Sequence, residues 1–287
     1  MPFDPVLGAA LGGVLGLLVG SFLNVVIYRF PKMLERQWAA DCADLSGQPV
    51  KEEPPFNLVV PRSRCPQCGH QIRWYENVPV ISWLALRGKC SSCATRISVR
   101  YPLVETTTGV FFALCAWRWG LHPMAVAWAA FAALLISLFL IDLDTQLLPD
   151  DLTYPLLWLG LISATFGWTV PLESAVWGAA LGYMVFWSVF QTFKLLTGKE
   201  GMGYGDFKLL AAMGAWYGMH YLLAIILVSS IVGAIMGVVL MMVGKLANKD
   251  IPIAFGPYLA GAGLLILAVG PAEVPALIPF AFPFGAM

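Results

Sequence analysis

Residues 6–28, "VLGAALGGVLGLLVGSFLNVVIY", run without a single charged side chain. A bilayer crossing needs roughly 20 predominantly apolar residues, so this block is long enough to span one. Comparable blocks recur near 103–119, 123–141, 154–170, 172–193, 221–243 and 255–270, with a shorter one at 207–219. Composition agrees, because 12% of the 287 residues are charged, against about 25% in soluble globular domains. The expected fold is an all-α polytopic membrane protein of about eight transmembrane helices, with the lipid bilayer as its surroundings.

The charges show how such helices would be oriented. Arg29, Lys32 and Arg36 follow the first block; Lys51, Arg62, Arg64, Arg73, Arg87, Lys89, Arg96 and Arg100 fill the polar stretch after it. Lys194, Lys199, Lys208, Lys245 and Lys249 sit in two later junctions. With eight spans these residues share one side and only Arg118 lies on the other. Positive loops remain cytoplasmic, so both termini are expected in the periplasm and residues 31–102 in the cytoplasm. The first block reads as an anchor, not a cleaved signal peptide, because Asp4 precedes it and its basic residues follow it. The net charge of zero says little about partners. No nucleic-acid partner is expected, and the sequence leaves the oligomeric state open.

Three regions follow: a first transmembrane helix (1–30), a polar cytoplasmic insert (31–102) and a seven-helix unit (103–287). Connections within the last are short, such as "GLHP" at 120–123, so sequential neighbours should pack antiparallel. The proline-rich end, "PAEVPALIPFAFPFGAM", reads as too broken for a regular ninth span.

Within the insert, "CPQCGH" and "KCSSC" place Cys65, Cys68, Cys90 and Cys93 as two C-x2-C pairs. This is the spacing of a small zinc-ribbon-like insert: each pair aims two thiolates at one point, and two pairs give a tetrahedral four-sulfur site for structural Zn2+. A small insert gains from a metal the folding energy it lacks. Disulfides are the alternative, but they need an oxidising compartment. His70 follows the first pair and is not needed as a ligand. Cys42 and Cys115 read as inert.

Carboxylates at span ends are costly and ask for a reason. "LFLIDLDTQLLPDDLTYP" holds Asp142, Asp144, Asp150 and Asp151, and "GMGYGDFK" holds Asp206 behind a glycine-rich stretch that reads as a flexible hinge. Topology brings the two junctions to one side. Two carboxylates that share a proton can activate water and protonate a leaving amine. Asp150 and Asp151 read as cap or first-turn acids. Asp142 and Asp144 would point about 200° apart on a helix, and Asp142, nearer the apolar run, is the better buried candidate. Asp206 reads equally as a helix N-cap.

"GSFLNVVIYRFP" (20–31), the paired cysteines, "IDLDTQLLPD" (141–150), "GMGYGDFKLL" (201–210) and "FGPYLA" (255–260) occur in the order seen in type IV prepilin leader peptidases, which this chain resembles over nearly its whole length. The resemblance implies a bifunctional inner-membrane enzyme akin to the G-x-G-D intramembrane aspartic proteases. It implies Asp142 and Asp206 as the catalytic pair, with prepilins and type II secretion pseudopilins as substrates. Their basic leader would be cut after glycine on the cytoplasmic side, and the new terminal residue N-methylated with S-adenosyl-L-methionine. The methyltransferase half shows no Rossmann-type glycine fingerprint. The resemblance associates it with the first span and the insert, hence with Gly88, Lys89 and Glu105. A turn at Gly88, a solvated Lys89 and a structural pairing of Glu105 with Lys89 or Arg100 are the competing readings. Asn24 and Arg29 read either as site lining or, better, as a capping and interfacial anchor pair. Two other classes remain: an ion- or proton-coupled transporter using the same acids, and a zinc-ribbon adaptor tethered by inert spans.

Overall fold

The structure, a computed structural model, describes residues 4–49, 54–243 and 254–282. Lys51, Lys245 and Lys249, used in the charge argument, and the last five residues of the proline-rich end lie outside the described residues. The chain divides into two compact units, residues 1–129 and 130–287.

Unit one opens with α1, Pro5–Leu45. Asp4 caps it by accepting the Val6 N–H at 2.9 Å, and Pro5 takes the first helical position, where its missing N–H costs nothing. The helix does not stop near residue 30 as expected; it passes through Pro31. Residues 32–45, "KMLERQWAADCADL", are mostly strong helix formers, which offsets the single backbone bond that proline removes. At 41 residues the helix is about 62 Å long, twice the roughly 30 Å of a hydrocarbon core. Arg29 and Arg36 hold the returning chain against this extension, donating to the Asn57 and Pro54 carbonyls at 2.9 and 3.4 Å.

The insert folds around two similar turns at Cys65–His70 and Cys90–Thr95, closed by Cys65 N–H to His70 O and Cys90 N–H to Thr95 O. Beside each turn the expected ribbon is reduced to a single antiparallel bridge, Arg64 with Gln71 and Lys89 with Arg96. Between them lie a 3-10 turn, Trp74–Asn77, and α2, Ile81–Ala85.

The next helix, α3 (Arg100–Trp119), packs along α1, and the sequence shows why. Gly8, Gly12, Gly16 and Gly20 form one stripe on α1. A side chain at Gly12, Gly16 or Gly20 would strike Phe112, Gly109 or Glu105 respectively. Small residues at this spacing let apolar helices approach where no hydrophobic drive between them exists. The grouping expected from residue 103 onward therefore differs: α3 belongs to the compact unit of α1.

Helix α4, Pro123–Thr145, runs across the unit boundary. Unit two continues with α5 (Asp150–Thr165), α6 (Leu172–Thr197), α7 (Tyr204–Tyr217), α8 (Leu222–Met242), α9 (Gly256–Val269) and the four-residue α10 (Val274–Leu277). Every expected apolar block thus carries a helix. Among the described residues, four are long and apolar enough to cross a membrane: α1, α4, α6 and α8 with its leading turn. The 14 residues of α7 reach about 21 Å, short of a full crossing. It is the core of its unit: every residue from Leu209 to Tyr217 is buried. The Trp216 indole donates to Leu156 O of α5 at 2.8 Å, and Tyr217 Oη donates to Gly263 O of α9 at 2.7 Å. Gly214 meets Gly178 of α6 backbone to backbone.

Candidate active site

Asp142 lies in the last turn of α4 and Asp206 in the first turn of α7; they are 4% and 7% exposed. Leu148 joins their surroundings, packing on Gly205 beside Asp206 and on Gly256, whose added Cβ would fall on the Asp142 carboxylate. Asp144, two residues on, faces out, so the helix buries one acid of the pair and exposes the other. Gly203 caps α7, and Asp206 is the third helical residue, its own N–H donating to Gly203 O at 3.2 Å. The N-cap expected at Asp206 is therefore Gly203. The Gly256 backbone lies against the Asp142 carboxylate, yet Asp142 Oδ2 makes no hydrogen bond of normal geometry.

Three segments converge here, and Leu148 is the wedge between them. A Cβ on Gly205 would come within 2.7 Å of Leu148 Cβ, and one on Gly256 within 2.9 Å of Leu148 Cδ1. Phe186 of α6 anchors two of the segments, with ring centroids 6.5 Å from Phe207 and 5.9 Å from Phe255. Gly201, Gly203 and Gly205 are absent from the left-handed region. The hinge expected of them gives way to a different requirement: at Gly201, against the Phe193 ring, and at Gly205, against Leu148, the chain needs space.

Asp150 and Asp151 occupy the first turn of α5, behind Pro149 as cap, as first-turn acids are expected to do. The Lys208 ammonium bonds both Asp150 oxygens, at 2.7 and 2.8 Å, an ion pair that joins α5 to α7 two residues beyond Asp206.

The four insert cysteines carry free thiols, and their sulfurs all lie within 4.8 Å of one another, with Cys65 to Cys93 at 3.8 Å and Cys68 to Cys90 at 4.0 Å. A tetrahedral zinc with bonds of about 2.3 Å separates its sulfurs by about 3.8 Å, so the donor set fits that ion. Disulfides, with sulfurs about 2.05 Å apart, do not match these separations. His70 stands outside the cluster, with Nε2 3.2 Å from Glu76 Oε2.

Residues 129–238 match the Type IV leader peptidase family, and residues 14–119 match the Bacterial Peptidase A24 N-terminal domain. A prepilin leader peptidase/N-methyltransferase of Stutzerimonas stutzeri is 53% identical over 271 residues, covering 93% of each chain. The chain belongs to the type IV leader peptidase family. Similar proteins of the same description occur in Pseudomonas aeruginosa, 53% identical over 258 residues (90% of this chain, 89% of the relative), and in Neisseria gonorrhoeae, 50% identical over 258 residues (89% and 88%). No solved structure matches the chain. Membership of this family supports the peptidase reading and gives the transporter reading nothing.

In this family member, Gly88, Lys89 and Glu105 each have surroundings of their own. Gly88 has φ 65°, and a Cβ there would meet the Trp83 indole at 2.8 Å; the turn reading describes it. Lys89 is exposed. Glu105 is buried and accepts the Val80 N–H at 2.7 Å. Its tie runs to the backbone ahead of α2 and not to Lys89. Asn24 donates to Gly20 O and Tyr101 O, at 3.3 and 3.1 Å. The insert does hold a cavity of about 520 Å³, lined by His70, Arg73, Tyr75, Glu76, Ser82 and Ser91 among others. Sequence reasoning missed those residues, along with the contacts of Leu148 and Gly256. The quoted "FGPYLA" was the available signal for the last of these, because a conspicuous glycine at a helix start invites the question of what approaches it.

Proposed function

We propose that this chain removes the basic leader of type IV prepilins and type II secretion pseudopilins after glycine, with Asp142 and Asp206 as the proton-exchanging pair, and then methylates the new terminal amine. Two buried carboxylates, one at the end of α4 and one at the start of α7, set about the Leu148 wedge in a member of this family, carry the reading. One carboxylate takes a proton from the water that attacks the scissile carbonyl carbon. As the carbon–nitrogen bond breaks, the other carboxyl group gives its proton to the departing nitrogen. Hydrolysis needs an extended backbone, so the substrate must enter unwound.

Methylation supports a division of labour between the two units. S-adenosylmethionine supplies an electrophilic methyl group when bound. The terminal amine, of ordinary pKa near 8, would have to reach that methyl group in its neutral form and give up a proton once methylated. We place this step with the insert, where Cys65, Cys68, Cys90 and Cys93 would hold a structural zinc. The reading also has eight membrane-embedded helices in the inner membrane, the N-terminus periplasmic and cleavage at the cytoplasmic face.

Incubating the purified protein with a short basic-leader peptide containing Gly-Phe, and S-adenosylmethionine, tests the whole reading. Mass spectrometry should find the shortened, methylated product; an intact peptide would refute it. The metal is tested separately. Elemental analysis should find about one zinc per chain, absent from Cys65→Ser and Cys90→Ser. Because structural zinc contributes roughly 10–16 kcal/mol of apparent folding energy, those variants should expose the insert to limited proteolysis. A metal-free insert that resists protease would contradict this.

A further inference from the structure

The cavity of the insert has walls from both cysteine turns, the 3-10 turn and α2. His70 comes from the end of the first cysteine turn, Ser91 from within the second, and Arg73, Tyr75 and Glu76 from the 3-10 turn. Ser82 and Ala85 of α2 complete it. Its volume, about 520 Å³, lies within the roughly 300–1,000 Å³ of small-molecule sites.

The lining is amphoteric. Glu76, its side chain 10% exposed, accepts the Arg73 N–H at 2.8 Å and faces His70 Nε2 at 3.2 Å. Those bonds, the Arg73 N–H first, pull its carboxyl down to about 2, so it presents a negative charge. The Arg73 guanidinium supplies the opposite charge and is fixed by donating Nη1 to Tyr75 Oη at 2.6 Å. The Tyr75 ring adds an aromatic face. An acid, a guanidinium and a ring around one small volume suit a ligand that carries a cation, a carboxylate and a planar base together.

We infer that this cavity is the binding site for S-adenosylmethionine, with Glu76 facing its cationic sulfonium and ammonium groups, Arg73 its carboxylate and Tyr75 its adenine. The assignment rests on the methyltransferase half of the proposed function. A carboxylate and a ring are both recognised partners of an onium group, and a guanidinium is the preferred partner of a carboxylate. Gly88 and Glu105 are then positioning residues. Gly88 seats Trp83 of α2, and Glu105 holds the N–H of Val80, which has φ 60° where α2 begins. Both fix the wall of the cavity without entering it.

Equilibrium dialysis of labelled S-adenosylmethionine against the purified, zinc-loaded full chain tests the assignment, with leader cleavage and zinc content read on the same samples. Glu76→Gln and Arg73→Ala should each weaken binding by about ten- to a hundredfold, the range for losing a hydrogen bond to a charged group. Cleavage and zinc content should stay at the unsubstituted level. Because Glu76 also steadies His70, Ala85→Trp gives a second approach. It fills the cavity from its exposed α2 rim and should abolish binding with zinc retained. Unchanged affinity in Ala85→Trp and Arg73→Ala would overturn the site while leaving the methyltransferase reading intact. An unsubstituted chain that cleaves leader yet binds no S-adenosylmethionine would instead overturn that reading, and the site with it.

Discussion

Asp142→Asn and Asp206→Asn should each lower leader cleavage by on the order of 10²–10⁴-fold or more, the range that general acid–base groups contribute. Asparagine keeps the shape of the carboxylate and cannot exchange its proton. Both positions are buried, in segments that Leu148 joins, so removing either leaves the remaining acid without a partner for the water and the departing amine. Asp151→Asn alters an exposed acid and should cost no more than about 0.5 kcal/mol, and Asp144→Asn, likewise exposed, about 0–1 kcal/mol. Asp150→Asn loses only the exposed pair with Lys208, and such pairs contribute about 0–1 kcal/mol. The reading also separates two activities. Asp206→Asn should still methylate a synthetic peptide that already begins with phenylalanine, because methyl transfer uses no carboxylate pair. Mass spectrometry of both products decides the matter. Cleavage by Asp142→Asn at the unsubstituted rate would remove Asp142 from the mechanism, and parallel loss of both activities would mean that the two units fail together.

What the sequence made legible was locally encoded. An apolar run long enough for a helix announces itself by length, and two C-x2-C pairs announce a shared ligand by spacing; both appear where they were expected. Helical periodicity separated Asp142 from Asp144 by direction, and burial of Asp142 with exposure of Asp144 agrees. What stayed illegible depends on contacts far apart in the chain. Pro31 looks like a stop until the helix-forming residues after it are weighed. "GMGYG" looks like a hinge until Leu148, more than fifty residues earlier in the chain, is found packed on Gly205. Glu105 offered several charged partners nearby and instead bonds a backbone N–H 25 residues away. The cavity of the insert gathers its lining from residues that carry no shared motif.

Gly256→Ala should reduce cleavage by about 10²-fold, the cost of misplacing a catalytic group by about 1 Å. Gly256 is not among the glycines with positive φ, so alanine meets no backbone strain there. The obstacle is steric. The new Cβ would fall on Asp142 Oδ2, 3.1 Å from Asp142 Cγ and 2.9 Å from Leu148 Cδ1. Either the carboxylate swings away or the first turn of α9 moves, and that turn is held by Pro257 at its start and by Phe255 against Phe186. The carboxylate is the softer side, so its orientation should be lost first. Gly261→Ala, one turn further along α9, meets only Phe139 at an ordinary 3.6 Å and should cleave normally. Leu148→Ala added to Gly256→Ala removes the second contact and leaves the first. Continued inactivity of the double variant would assign the loss to Asp142, whereas recovery would assign it to the Leu148 wedge. Normal cleavage by Gly256→Ala alone would show that the position of Asp142 Oδ2 does not govern the reaction.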